Sequence, residues 1–299
     1  MHSLKDTIRI TGLLNSLKNQ EPGVRRQAVK ALGEENLEPP LALRQFGKSM
    51  EDEDTIVRVS AVKAMERIGA AAVPRLGQAL TSPCRRVRRE AAWALGRLGA
   101  AAESAVVPLT GALRDRDPKV AQAAAHTLGL VGRKAAGAAS ALVEVLADSN
   151  YLLCRMAAWA LAQIGGAAVP ALIQALASAD LFVRGEAAWA LAQIGPAAHE
   201  AAPALIAVLR SDDAECLAKA TASPPPENQH LCPTTPVFIP PRKGTVEAFC
   251  LSAIKALGEI GPAAAAAIPD LRRLAQSGNG TAHLMAVQAL RRIDPSATQ

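Results

Sequence analysis

The sequence predicts an all-α protein, a single solenoid of about eight stacked helix pairs over residues 1–299. Three observations predict it. One pattern recurs every 30 or 33 residues, most visibly as "AAWALGRLG" at 91–99 and "AAWALAQIG" at 157–165 and 187–195. Within each copy the apolar residues stand 0, 4, 8 and 11 positions from the opening residue, which at about 100° per residue is one face of a helix. Half the chain is apolar but only 3% is aromatic, so alanine and leucine supply a core of closely approaching helices.

The copies follow in order. The first, near 1–36, opens its second helix at Val24, buries Leu32 and stops at Asn36. The second, 37–69, is capped by Asp54, opens at Val57 and continues through Met65 and Ile68 to Gly69. The third, 70–99, begins with the helix "AAVPRLGQAL" and runs from Val87 through Leu95 and Leu98 to Gly99. The fourth, 100–132, has Asp117 as cap and Pro118 in the first helical position, then Val120, Leu128, Val131 and Gly132. The fifth, 133–165, runs from Asn150 through Leu153, Leu161 and Ile164 to Gly165, and the sixth, 166–195, from Asp180 through Val183, Leu191 and Ile194 to Gly195. The seventh, 196–261, reaches its cap at Asp213 and resumes at Phe249, Leu257, Ile260 and Gly261. The eighth, 262–299, has Asn279 as cap and Ala282, Leu290 and Ile293 as its stripe. The glycines are expected to stop each helix in the left-handed conformation. Neither helix of a copy can bury its stripe alone, so neighbours must stack.

Between Asp213 and Val246 the period is lost. Residues 214–245 contain seven prolines and read as an exposed, extended insertion within the seventh copy. A decayed repeat is the alternative, because the 66-residue spacing from Val183 to Phe249 equals two periods. Val237, Phe238 and Ile239 are its candidate docking residues.

No apolar run of about 18 residues is unbroken, so no membrane span is expected. The N-terminus has no apolar core of a secretory signal. Five scattered cysteines without a CxxC pair fit a reducing compartment, and the expected location is cytoplasmic. The net charge of +6 lies entirely in residues 1–150. Its densest piece, "CRRVRRE", offers Arg85, Arg86, Arg88 and Arg89 either as a solvated helix start or as a patch for an acidic partner.

The run "VPALIQALASADLFVRGEAAWALAQIG" resembles the HEAT repeat, in the short HEAT-like form found in phycobilin lyases and deoxyhypusine hydroxylase. The resemblance covers the chain outside the insertion. It implies a curved, right-handed solenoid whose second helices line the concave surface, and an Asp-x-x-x-Arg link (Asp54 with Arg58, Asp180 with Arg184). The arginine recurs as Arg25 and Arg88 but is replaced at Ala121, Cys154, Cys250 and His283.

The three tryptophans, Trp93, Trp159 and Trp189, all stand six positions after the opening residue, about 240° around the helix from it. Sister copies hold Lys30, Lys63, His126, Lys255 and Gln288 there, so the slot should face outward. On the geometry that the resemblance implies, this places a broken aromatic stripe on the concave face, with His126 between Trp93 and Trp159. Arg89, Glu90, Arg97, Arg155, Gln163, Glu186 and Gln193 flank it. Partner binding and simple filling of the groove between helices are both open for the rings.

Chemistry finds less support. Deoxyhypusine hydroxylase holds two irons on His-Glu pairs of its inner helices. The matching positions here read Arg89-Glu90 and Gly185-Glu186, with Met156 and Ser252 replacing other carboxylates. No nucleotide-binding or hydrolase motif occurs, and nothing identifies a bilin pocket. The expectation is therefore a scaffold without catalytic residues, metal or cofactor, which binds a protein or peptide on its concave face. A HEAT-like enzyme related to the lyases or the hydroxylase is the alternative. A nucleic-acid binder resting on Arg85–Arg89 comes after it, since such interfaces need distributed phosphate contacts.

Overall fold

The computed structural model describes residues 4–35, 37–210, 246–276 and 280–295. These contain sixteen α-helices and no strand. The chain divides into two compact units, residues 1–138 and 139–299.

The N-terminal unit holds α1 (Leu4–Ser16), α2 (Pro22–Glu34), α3 (Pro39–Ser49), α4 (Thr55–Glu66), α5 (Val73–Ala79), α6 (Arg85–Leu98), α7 (Val106–Ala112) and α8 (Pro118–Val131). The even-numbered helices pack side by side in chain order, and each also packs on the odd-numbered helix before it. The C-terminal unit repeats the plan with α9 (Ala139–Val145), α10 (Tyr151–Ile164), α11 (Val169–Leu176), α12 (Leu181–Ile194), α13 (Ala202–Arg210), α14 (Val246–Ile260), α15 (Ile268–Gln276) and α16 (Thr281–Ile293). Here α14 packs directly on both α12 and α13. The second helix of the seventh pair thus lies after the proline-rich tract, against the second helix of the sixth. The tract itself, with Val237 to Ile239, lies outside the described residues.

The predicted stripe is the core. In α8, Val120, Ala124 and Leu128 are fully buried; so are Ala157 and Leu161 in α10, and Ala253 and Leu257 in α14. Small residues set the close approach of successive second helices. A Cβ on Gly96 would lie 2.8 Å from the Thr127 hydroxyl, and one on Gly258 would lie 2.9 Å from the Ala289 backbone. Thr127 uses that proximity to donate to the Ala92 carbonyl at 2.8 Å.

Glycine ends the second helix at residues 69, 99, 132, 165, 195 and 261, all with positive φ. The conformation differs from the expected left-handed helical one. Gly132 has φ 67° and ψ −136°, a region that costs any residue with a Cβ. From there a 3₁₀ turn leads into the next first helix. These glycines also interrupt two helical runs, 151–176 and 248–276, that have the length and apolar content of a membrane span. Each run is two helices joined through Gly165 or Gly261.

Four expected caps act as such. Asp54 accepts from Ile56 and Val57, Asp117 from Lys119, Asn150 from Leu153 and Asp180 from Phe182. Asp213 and Asn279 lie outside the described residues. Two positions earlier, Asp52, Ser82, Asp115, Asp148 and Ser178 accept from the backbone N–H of the cap residue itself.

The Asp-x-x-x-Arg link is corrected. Asp54 pairs with Arg26 at 2.7 Å, whereas Arg58 donates to the carbonyls of Asp52 and Glu53 and to the Thr55 hydroxyl. A geometry found at two of the copies reaches from one copy to the next. Arg25 holds its own turn through the Asn19 and Gln20 carbonyls and grips Asp52 of the next turn at 2.8 and 2.9 Å. Arg88 does the same with Ser82, Pro83 and Asp115. An arginine near the helix start projects back over the turn before it, so it clamps carbonyls there and leaves the cap carboxylate to the free N–H groups.

Arg58 has no carboxylate in the next turn, because Ser82 stands there. Beside it, Cys84 takes the cap position of α6. Burial pushes the Cys84 thiol up, but the Val87 and Arg86 N–H groups and the Arg58 guanidinium outweigh it and bring it down to about 7. Iodoacetamide should modify Cys84 with a half-maximal rate near pH 7, while buried Cys154, pushed up to about 11, stays unreactive in the folded protein. Peptide mapping across pH 5–9 checks this; equal labelling of both would refute it.

Candidate functional site

The expected site residues stand on the second helices, where some keep solvent access and others are buried. In the N-terminal unit Trp93 on α6 is half-buried and its ring centre lies 5.3 Å from that of His126 on α8, tilted by 53°. Burial lowers the pKa of His126, so the ring is held toward its neutral form. Trp93 and His126, both half-buried, together form a shelf of two neighbouring rings on successive second helices. Arg97 is exposed and pairs with Glu66 of α4; Arg89 and Glu90 are half-buried.

The C-terminal unit treats the same slots differently. Trp159 is half-buried on α10, and Gln163 and Gln193 are exposed. Trp189, only 7% exposed, belongs to the core, which corrects its expected outward position. The cause is its neighbours. α12 lies between α10 and α14, and Arg155 from α10 lies over the indole, 4.7 Å from its centre. The same guanidinium donates from Nη1 to both carboxylate oxygens of Glu186 at 3.0 Å. Glu186 is fully buried, so it too leaves the expected surface set. Burial raises its pKa against the opposing effect of Arg155.

At about 100° per residue Arg85, Arg86 and Arg89 lie on one side of α6, and Arg88 points away from them. Arg88 is buried in its clamp on Asp115. Arg85 lies 3.9 Å from Asp117, Arg86 is exposed, and Arg89 is half-buried. Arg88 therefore leaves the expected acidic-partner patch.

Sequence reasoning passed over a groove between α2 and α4. It has a volume of about 350 Å³ and is lined by Lys30, Glu34, Ser60, Lys63 and Arg67, with Gly33 and Ala64 as its floor. The signal was present in Lys30 and Lys63, which occupy the tryptophan slot. Among the described residues no group of three or more His, Cys, Asp or Glu side chains is placed to hold a metal ion.

The HEAT-repeat profile matches residues 10–76, 73–162 and 139–223, most of the chain. The chain belongs to the HEAT-repeat family. Among solved structures, this HEAT-repeat protein is similar to a chain of the Kap95p–RanGDP complex, at 13% identity and a TM-score of 0.52, covering 97% of this chain and 43% of that one. It is also similar to human deoxyhypusine hydroxylase, at 19% identity over 98% and 99% of the two chains with a TM-score of 0.37. The E. coli YibA protein aligns at 15% identity over 98% and 97%, with a TM-score of 0.48. At these identities the likeness concerns the fold alone. No curated protein matches the sequence.

Proposed function

We propose that this HEAT-repeat protein is a non-enzymatic cytoplasmic scaffold that binds a protein or peptide along the free face of its second helices. The observation that carries the reading is the slot six positions after each opening residue. The core around it is alanine and leucine, buried to the last few per cent, yet Lys30, Lys63, Trp93, His126 and Trp159 all keep solvent access there. Where the slot stays open, as at Trp93 and Trp159, packing of the repeat does not need a large side chain, since sister copies carry lysine there. Aromatic side chains on a rigid helical surface are common anchors of protein interfaces. Stacked repeats commonly serve as extended binding surfaces.

The test is affinity capture from native cell extract with wild type and the double variant Trp93→Lys/Trp159→Lys, which introduces the residue found in sister repeats. A protein recovered by wild type and lost by a variant with unchanged thermal unfolding supports the reading. Identical captures by both proteins would remove it.

A further inference from the structure

Several cations of the N-terminal unit stand in ion pairs and several, such as Lys48, Arg86 and Lys119, stand exposed outside them. Arg25 is neutralised by Asp52 and Glu53, Arg26 by Asp54, Arg88 by Asp115, Arg97 by Glu66 and Lys134 by Glu103. Lys30, Lys63 and Arg67 are not. They line the groove between α2 and α4, and among the described residues none of the three side chains makes an ion pair or hydrogen bond. Glu34, the single carboxylate of that lining, is also without an ion pair. Three positive charges against one negative thus face a shared concavity whose floor is so closely packed that a Cβ on Gly33 would lie 3.0 Å from that of Ala64. The mutual repulsion of such charges is relieved by an anionic occupant.

We propose that this groove and the adjoining Trp93–His126 shelf form a docking channel for an extended acidic peptide segment. The proposal rests on the scaffold reading above and gives its partner a chemistry. Lys30, Lys63, Trp93 and His126 hold the same slot on the successive helices α2, α4, α6 and α8. Packed helices stand about 8–10 Å apart, and a peptide in the extended polyproline II form advances about 3.1 Å per residue with three residues per turn, so every third side chain points the same way. Side chains three residues apart in an extended peptide therefore meet consecutive slots. Two carboxylates at that spacing reach Lys30 and the Lys63–Arg67 pair, and an aromatic residue three positions further reaches Trp93. The shelf distinguishes such a peptide from a bare polyanion, because the ring supplies an apolar contact that charge alone does not use. Arg67 adds a planar donor that can hold one carboxylate in two-pronged fashion.

The experiment is fluorescence anisotropy with the full-length protein and the labelled peptide Glu-Ser-Ser-Glu-Ser-Ser-Phe. Two companions carry Gln or Lys in place of Glu. The acidic peptide should bind about tenfold or more tightly than the Gln peptide, and its affinity should fall as salt rises. The variant Lys30→Glu/Lys63→Glu/Arg67→Glu changes only exposed side chains, so its circular dichroism and thermal unfolding should match wild type. It should lose the acidic peptide and prefer the Lys peptide. Equal binding of the acidic and Gln peptides, or of the acidic peptide by the charge-reversed variant, overturns the proposal. So does the absence of binding by any peptide, or an oligonucleotide that displaces the acidic peptide at lower concentration than unlabelled peptide does. Capture of the extract partner separates the two readings. A partner lost with Trp93→Lys/Trp159→Lys but kept by the charge-reversed variant retains the scaffold and eliminates the acidic channel.

Discussion

Replacing Arg155 with alanine is expected to destabilise the C-terminal unit by about 3–5 kcal/mol, the usual cost of stranding a buried charge. Glu186 is fully buried, and both of its carboxylate oxygens accept from the one Arg155 nitrogen at 3.0 Å. Arg155→Ala removes that donor and uncovers the Trp189 indole at the same time. The deficit should depend on pH in a defined direction. Burial already raises the pKa of Glu186 above the ordinary 4.5. In the folded variant it rises further, so the folded state takes up a proton at a higher pH than the unfolded chain. The cost of the stranded charge is then absent below about pH 4.5, where both states are protonated. It grows as pH rises toward the folded pKa and is largest above it. Glu186→Gln in the Arg155→Ala background should recover part of the loss at pH 7, since a neutral amide is cheaper to bury than a carboxylate. Urea unfolding at pH 4.5 and 7, with hydrogen exchange in α10 and α12, measures both effects. A loss under about 1 kcal/mol that ignores pH would show that the pair is solvated.

Trp189→Lys is expected to cost about 3–5 kcal/mol, as for truncation of a buried tryptophan, whereas Trp93→Lys and Trp159→Lys should each cost less than about 1 kcal/mol. The three residues share one slot and nearly one local sequence. Their burial differs because Arg155 and the flanking helices α10 and α14 close over Trp189, while Trp93 is only half-buried beside His126. A lysine at 189 would bury an ammonium beside the Arg155 guanidinium. Thermal unfolding of the three single variants checks the ranking. Because Arg155 and Trp189 touch, the effects of Arg155→Ala and Trp189→Lys should fall short of additivity. Three equal losses would mean that the slot is core throughout and would withdraw the aromatic anchors from the proposed interface.

The repeat plan was legible because it rests on local rules that recur. Val57, Ala61 and Met65 must lie on one face of any helix that contains them, and Gly132 or Gly195 stops a helix wherever it occurs at the end of such a stripe. The caps at Asp54, Asp117, Asn150 and Asp180 follow from the backbone N–H groups that every helix start leaves free. The family resemblance was equally legible, since it is carried by this periodicity.

The site was only partly so. Position in the repeat gave the direction in which Trp93, Trp159 and Trp189 leave their helices. It could not give what stands opposite, because that depends on side chains some 30 residues away: Arg155 beside Glu186 and Trp189, Asp115 on Arg88, Asp52 on Arg25. A guanidinium at the end of a long stem can clamp the turn before it, the turn of the next copy or an indole on a neighbouring helix. The same residue type therefore became a buried clamp at Arg88 and an exposed charge at Arg67. The sequence by itself determined the helices, their order, their ends and their buried stripe, since these are set by residues within a few positions of one another. Only the tertiary structure decided which polar and aromatic side chains of the second helices are neutralised, which are covered and which are left open, since burial and charge balance belong to neighbours in space rather than along the chain.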